Sequence, residues 1–146
     1  MSEQDKARPP AAGGERAAPA PRTIPAPRAL PESLAYWQAA DEGRLLVTRC
    51  RACGRAHHYG RDVCPFCWST DTAWEQASGE GVVYSYSTMG KGPAAYTIAF
   101  VTLAEGPTMM TNLVGCDPSR FAIGQRVRVV FEPSEGGHAV PMFTPC

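Results

Sequence analysis

The sequence predicts a mainly β fold in which a short helix and a small metal-bound ribbon precede a closed β-barrel. One observation behind this prediction is a pair of Cys-x-x-Cys motifs, which places four cysteines within eighteen residues. The other is a series of five strand-like segments in the second half of the chain, separated by turns rich in Gly and Pro. These observations divide the chain into a tail of residues 1–31, a helix plus ribbon of residues 32–77 and a barrel of residues 78–146.

Residues 1–31 have the composition of a disordered tail. They contain seven of the fourteen prolines, together with much Ala and Gly and almost no side chains that could form a core. We expect no secondary structure there. The tail is either a solvated leader or a tether in which Ile24 and Leu30 dock on a partner protein.

One short helix is predicted over residues 31–43. Pro31 suits the start of a helix, and Gly43 suits the residue that follows its end. The spacing of Leu30, Leu34 and Trp37 predicts a single apolar face that covers the folded body. The alternative interpretation places Tyr36 and Trp37 at a contact between subunits.

The two Cys-x-x-Cys motifs predict a metal site. Each pair can form a tight turn that directs two sulfurs to one point, and the ten residues between the pairs are enough for a hairpin. Four thiolates favour a tetrahedral zinc ion at Zn–S distances of about 2.3 Å, and a filled shell makes the ion structural. We therefore expect one structural zinc per chain, held by four ligands: Cys50, Cys53, Cys64 and Cys67. A rubredoxin-like Fe(Cys)₄ centre is the alternative.

The rest of the ribbon is predicted as three short strands, over residues 45–49, 55–59 and 73–76. Trp68 and Trp74 are expected to cover the apolar side of the metal site, because so small a ribbon has little other core. His57 and His58 are expected to lie on the surface or beside the metal ligands, since four thiolates already complete the shell.

The barrel is predicted from the pattern after residue 78. Strands are expected at residues 82–88, 96–103, 108–114, 126–132 and 139–143, with a helical turn in residues 117–124. Alternating Arg126 and Arg128 are expected on the solvent face of their strand. Five short strands of this kind predict a Greek-key barrel of the OB type.

Charge and hydropathy exclude several classes of protein. Lys plus Arg and Asp plus Glu both number 14, and residues 32–146 carry nine basic against eleven acidic side chains. That balance argues against a nucleic-acid surface, since such a surface is usually basic. No apolar run reaches the roughly 18 to 20 residues of a membrane span, and the N-terminus lacks the apolar core of a signal peptide. With six cysteines and no leader, we expect a cytoplasmic protein.

The order of these parts resembles a known family. An aromatic helix ending in Asp-Glu-Gly-Arg-Leu precedes Cys-Arg-Ala-Cys-Gly and Val-Cys-Pro-Phe-Cys, and Ser-Gly-Glu-Gly-Val-Val-Tyr-Ser-Tyr then opens the barrel. Residues 32–145 resemble the zinc-ribbon/OB-fold family of small subunits that accompany thiolase-like acyl-CoA enzymes. Two later segments, Phe-Ala-Ile-Gly-Gln-Arg-Val-Arg-Val-Val-Phe-Glu and Val-Pro-Met-Phe-Thr-Pro, resemble the last two strands of that family.

The resemblance implies a non-catalytic subunit. Such a subunit binds a thiolase-fold partner that runs a thiolase, acyltransferase or aldolase reaction, and it shares acyl-CoA or CoA with that partner. We expect no activity from the chain alone, because no nucleophile and base can be paired in the sequence. Two alternatives are a single-stranded nucleic-acid-binding module of OB and ribbon type, and a rubredoxin-like electron carrier.

Overall fold

The computed structural model describes residues 22–145, and the expectations for residues 1–21 lie outside this part of the chain. Its elements follow the predicted order. A 3₁₀ turn, Pro31–Ser33, and a helix, α1 (Leu34–Asp41), come first. The ribbon strands are β1 (Leu46–Cys50), β2 (Ala56–His57) and β3 (Thr72–Gln76). The barrel strands are β4 (Glu80–Met89), β5 (Tyr96–Leu103), β6 (Thr108–Leu113), β7 (Arg126–Glu132) and β8 (Val140–Pro145).

The predicted ribbon and barrel are both confirmed. The ribbon is a three-stranded antiparallel sheet in the order β2-β1-β3, with Thr48 of β1 opposite His57 and Trp74. The other five strands close into a barrel in the order β4-β5-β6-β8-β7. The ring is completed by an antiparallel pairing of β7 with β4 and by one parallel contact, Leu113 opposite Phe143, between β6 and β8. The fold is therefore mainly β, with one α-helix among the described residues.

The predicted apolar face of the helix is wrong at two of its three residues, because only Trp37 packs against the core. Leu30 and Leu34 remain 46% and 41% exposed, whereas Tyr36, Ala39 and Ala40 are buried. The first turn is 3₁₀, and the α-helix proper begins only at Leu34, so the buried stripe lies on a different side from the predicted one. Tyr36, assigned in one interpretation to a subunit contact, lies inside the protein.

Ribbon, helix and barrel share one hydrophobic core. Leu45 and Val47 at the start of the ribbon belong to the same buried cluster as Tyr36 of the helix and Val101 and Phe143 of the barrel. Five of the seven residues of β7 bear side chains that are at least partly shielded from water, and Arg126 and Arg128 point to solvent as predicted. Because the core is continuous, the ribbon is held in one position against the barrel.

Residues 22–30 contain no helix or strand, but they contact the barrel. The carbonyl oxygen of Ile24 accepts a hydrogen bond of 2.9 Å from the N–H of Glu135. The guanidinium of Arg22 lies 3.5 Å above the ring centre of Tyr96 on β5. The composition of this segment did not predict these contacts, and the boundary at residue 31 stays a prediction.

Asp41 joins the end of the helix to the last hairpin of the barrel. The N–H of Ala139 donates to Asp41 Oδ1 at 2.8 Å, and His138 Nδ1 lies 2.6 Å from Oδ2. The hydrogen bond from Ala139, followed by the one from His138, lowers the pKa of Asp41, so its carboxylate is charged at neutral pH. His138 also stacks on Trp37, with ring centres 6.3 Å apart.

An aromatic cluster packs the helix onto the ribbon. Tyr36 contacts the rings of Trp37, His58 and Tyr59 at centre distances of 5.1, 5.5 and 5.2 Å. Tyr36 Oη and His58 Nε2 lie 3.4 Å apart. Burial, with a smaller contribution from His57, lowers the pKa of His58 to about 4, and burial also raises the pKa of Tyr36. Both side chains are therefore neutral at pH 7.

The depressed pKa of His58 predicts a pH-dependent stability. His58 takes up a proton near pH 6.5 in the unfolded chain but only near pH 4 in the folded one. The free energy of unfolding should therefore fall by up to about 1.4 kcal/mol per pH unit as the pH drops through this window, with no effect of this group above it. Urea unfolding at several pH values gives the slope of the free energy of unfolding against pH. The slope should be smaller for His58→Gln, whose side chain stays neutral, than for wild type.

Bound metal must be measured at each pH in that experiment, because acid also competes with metal for thiolates. Only pH values at which both proteins keep the same metal content enter the comparison. Equal slopes for wild type and His58→Gln would show that His58 is not held neutral by burial.

Candidate metal centre

The four ribbon cysteines meet at one point. Their sulfur atoms all lie within 4.8 Å of one another. The sulfurs of Cys50 and Cys67 are 3.5 Å apart, and those of Cys53 and Cys64 are 3.7 Å apart. A tetrahedron with a metal–sulfur distance of about 2.3 Å has edges of about 3.8 Å, so the arrangement fits a tetrahedral Cys₄ site. Cys50 and Cys64 are buried, while Cys53 and Cys67 face solvent.

Matching turns position the two pairs. The N–H of Gly54 donates to the carbonyl oxygen of Cys50 at 2.9 Å, and the N–H of Trp68 donates to that of Cys64 at 3.0 Å. The N–H of Phe66 also lies 3.4 Å from the sulfur of Cys64. A hydrogen bond of 2.9 Å from the N–H of Arg51 to the carbonyl oxygen of Asp71 ties the first turn to the residue just before β3. Backbone hydrogen bonds therefore fix the shape of both turns.

The protonation of the cluster is uneven. Burial raises the pKa of the Cys64 thiol, but hydrogen bonds from the N–H groups of Phe66 and Cys67 and from neighbouring thiols outweigh it and lower the pKa to about 7. At Cys67 the hydrogen bond from Ser69 lowers the pKa, yet burial and the other thiols raise it to about 12. One thiolate opposes the ionisation of the next unless a cation offsets the charge. This donor set is therefore suited to a divalent cation.

Trp68 does not cover the cluster, contrary to the prediction. Its side chain is 79% exposed, and its backbone has a φ of 64°. Trp68 occupies the position in the second turn that Gly54, with a φ of 73°, occupies in the first. In the left-handed conformation that closes the turn, the Cβ direction carries the indole outward. Sequence reasoning missed this because it considered the apolarity of Trp68 and not its place in the turn.

Trp74 and His58 contact the helix, whereas His57 lines the cleft beside the first cysteine turn. Trp74 packs in the aromatic cluster, 6.4 Å from the ring of Tyr36, and covers Gly60 so closely that a Cβ there would lie 2.0 Å from its ring. His57 is buried, with Nδ1 3.4 Å from the carbonyl oxygen of Tyr59. The expectation of a surface position is therefore wrong for His57. His58 belongs to the packing between helix and ribbon, since its ring contacts that of Tyr36.

A basic cleft of about 530 Å³ lies between the ribbon and the turn joining β5 to β6. Arg49 in this cleft is paired with Glu75 and also donates to the carbonyl oxygen of Gly54 at 2.9 Å. Arg55 lies 3.5 Å from the ring centre of Phe66.

Within residues 22–145, no helix is long and apolar enough to cross a membrane.

Comparison with known proteins places this architecture in a family. A family model described as "ChsH2, rubredoxin-like zinc ribbon domain" matches residues 37–73, and one described as "ChsH2, C-terminal OB-fold domain" matches residues 74–132. A DUF35 domain-containing scaffold protein of Methanocaldococcus jannaschii is 35% identical over 104 residues, which cover 65% of this chain and 73% of that protein. The chain belongs to the ChsH2/DUF35 family.

A longer relative and two solved structures extend the comparison. A probable enoyl-CoA hydratase alpha subunit of Thermomonospora curvata is 36% identical over 76% of this chain, which spans only 37% of that protein's length. A structure described as an Ltp2-ChsH2(DUF35) aldolase matches with a TM-score of 0.72 and 34% identity, covering 82% of this chain and 98% of the matched one. A DUF35 protein of Sulfolobus solfataricus shares the fold, with a TM-score of 0.60, 14% identity and coverage of 80% and 86% of the two chains.

The strained position of Trp68 predicts the effect of two matched substitutions. Trp68→Gly should leave the free energy of unfolding unchanged or raise it by up to about 1 kcal/mol, because Gly adopts this φ without a Cβ clash. Gly54→Ala should lower it by about 1 kcal/mol, since a Cβ there has open space but meets the same backbone strain. Denaturation of the metal-saturated proteins measures both. A large loss of stability in Trp68→Gly would contradict the surface position of the indole.

Proposed function

We propose that the chain holds one structural zinc ion on Cys50, Cys53, Cys64 and Cys67. The support is the fit of the four sulfurs to a tetrahedral shell, together with the family assignment of the ribbon. With every position filled by a thiolate, the ion has no open position for water or substrate. Its contribution is to fix the two turns and hence the three ribbon strands.

We further propose that the chain is a non-catalytic, cytoplasmic scaffold subunit of a thiolase-type acyl-CoA complex. Family membership supports this proposal, because the names of several relatives describe a scaffold or one component of a larger enzyme. Archaeal relatives are called scaffold proteins, and the matched chain in the solved structure is part of an aldolase with a second component, Ltp2. The relative from Thermomonospora curvata is called a subunit of a probable enoyl-CoA hydratase. The aldolase and the hydratase are both named as enzymes of more than one component, and the name of the hydratase includes a CoA ester.

In this proposal the two subunits have different tasks. The thiolase-fold subunit supplies the nucleophile and bases for thiolysis, acyl transfer or aldol cleavage. This chain supports the assembly, forms part of the wall around the shared CoA ester and excludes water from the reacting groups.

The zinc assignment predicts the outcome of changing one ligand. Cys64→Ser should lower the zinc content well below one ion per chain and disorder the ribbon, because a protonated serine hydroxyl is a poor zinc ligand and leaves the buried shell incomplete. Cys116→Ser is the matched control, since Cys116 is a free, half-buried thiol outside the cluster. Metal analysis by mass spectrometry and near-ultraviolet circular dichroism measure the two effects. Stoichiometric iron in a red wild-type protein would favour the electron carrier instead.

The scaffold function predicts complementation. The chain alone should turn over no acyl-CoA, and a thiolase-fold protein that co-purifies with it should lose activity or solubility when prepared without it. Mixing the two purified proteins should restore formation or cleavage of a carbon–carbon bond next to the thioester. Release of free CoA or of the carbonyl product, followed by chromatography, measures the reaction.

Two results would contradict the scaffold function. One is full activity of the thiolase-fold protein without this chain. The other is binding of this chain to a single-stranded oligonucleotide with a submicromolar dissociation constant in 0.15 M salt. At that salt concentration, nonspecific binding to phosphates has dissociation constants of about 10⁻⁴ to 10⁻⁶ M. That second result would favour the nucleic-acid-binding alternative.

A further inference from the structure

One side of the barrel is built from three adjacent strands that are almost without charge. The strands β5 and β6 contain no Lys, Arg, Asp or Glu, and β4 contains only Glu80, at its first position. The neighbouring strand β8 is also uncharged, but its side chains are buried or half-buried, and β7 carries three charged residues among seven. Side chains alternate between core and solvent along a strand, so about half of these uncharged residues form the outer surface. We call this surface the β4–β6 face.

Large apolar side chains are exposed at the centre of the β4–β6 face. Phe100 on β5 is directly opposite Met110 on β6, and the two are 44% and 66% exposed. Tyr84 lies at an irregularity of β4 next to the partner of Phe100, and it is 68% exposed. Isolated apolar residues are normal on a surface, but neighbouring ones without interspersed charge mark a site of interaction.

The position of this face in the fold narrows the choice of ligand. In an OB barrel the second and third strands form the usual binding face, and those strands are β5 and β6 here. Binding of a single strand of nucleic acid would need basic side chains among the aromatic ones. Since β5 and β6 contain none, the face suits an apolar protein surface better than a phosphate backbone.

Two arginines, Arg22 and Arg61, lie at one edge of the β4–β6 face. Arg22 stacks on Tyr96, and Arg61 lines a cleft of about 600 Å³ between the ribbon and the barrel whose floor includes Ile98 and Met110. Within residues 22–145, the ion pairs involve neither guanidinium. An interface with an apolar centre and a charged rim is typical of stable complexes. The complementary surface therefore has an apolar centre with carboxylates opposite these arginines.

From these observations we infer that the β4–β6 face is the surface on which this chain binds the thiolase-fold subunit, an inference that rests on the proposed function. The partner surface that fits is apolar where it meets Phe100 and Met110 and acidic where it meets Arg22 and Arg61. A second copy of this chain fits less well. In a two-fold dimer the same face would meet itself, and its strands offer only Glu80 to pair with the arginines.

The test is a binding measurement with purified, full-length proteins. The probe is the thiolase-fold subunit that complements the wild-type chain, titrated by calorimetry against each variant. Phe100→Glu combined with Met110→Glu should raise the dissociation constant about 100-fold or more, because two central contacts become buried charges. Arg61→Glu should raise it about tenfold and reduce its dependence on salt.

Two controls separate a lost contact from a lost fold. Each variant must keep the wild-type zinc content and circular dichroism. Trp68→Gly removes an exposed apolar side chain of the ribbon and should leave the dissociation constant within about twofold, because it lies outside the interface. If the double variant does not fold, hydrogen exchange of the wild-type chain is the second measurement. Binding of the partner should then protect the exposed parts of residues 96–113 and leave residues 126–132 unchanged.

The outcomes distinguish the face from the function. If wild type and double variant bind equally, or if only Trp68→Gly weakens binding, the β4–β6 face is not the docking surface although the scaffold function stands. If the wild-type chain neither binds nor complements any thiolase-fold subunit, the function fails and the inference fails with it. A wild-type dimer that the double variant dissociates would assign the face to self-association, and tight binding of oligo(dT) lost in the double variant would assign it to nucleic acid.

Discussion

The convergence of four thiols on one point is the constraint on which the rest of the structure depends. The ribbon sheet has only two residues in β2 and five in each of β1 and β3, which is too little to bury a core of its own. A cluster whose sulfurs lie within 4.8 Å of one another replaces that core. It fixes β1, and β1 carries Leu46 and Val47 into the hydrophobic cluster that the helix and barrel also share.

From β1 outward the remaining contacts follow in order. Tyr36 and Trp74 join the helix to the ribbon, and Asp41 joins the end of the helix to the last barrel hairpin. These contacts hold the ribbon in one position against the barrel. A cleft of about 600 Å³ lies between them, beside β5 and β6. A scaffold needs such a rigid arrangement, because a surface that is ordered before binding loses little entropy when its partner docks.

The sequence predicted the parts of the molecule that depend on local spacing. Paired cysteines and alternating strands obey short-range geometry, so the ribbon, the barrel and the order of strands could be read directly. The buried face of α1 could not be predicted in this way. Leu30 and Leu34 were assigned to the core on the assumption of α-helical spacing, but the first turn is 3₁₀ and both side chains are exposed. Trp68 was misplaced because a left-handed turn residue points outward whatever its apolarity. The contacts of Arg22 and Ile24 depend on distant residues, Tyr96 and Glu135, that composition does not reveal.

Native mass spectrometry of the tagged full chain, isolated from its own cells, tests the central claim most directly, because one spectrum reports both metal and partner. The account predicts a hetero-oligomer whose mass equals the sum of this chain, a thiolase-fold chain and one zinc ion per copy of this chain. On collisional activation it should release the intact zinc-bound subunit, since four thiolates hold the ion within the fold. A spectrum dominated by this chain alone, or by a complex without a thiolase-fold protein, would contradict the account.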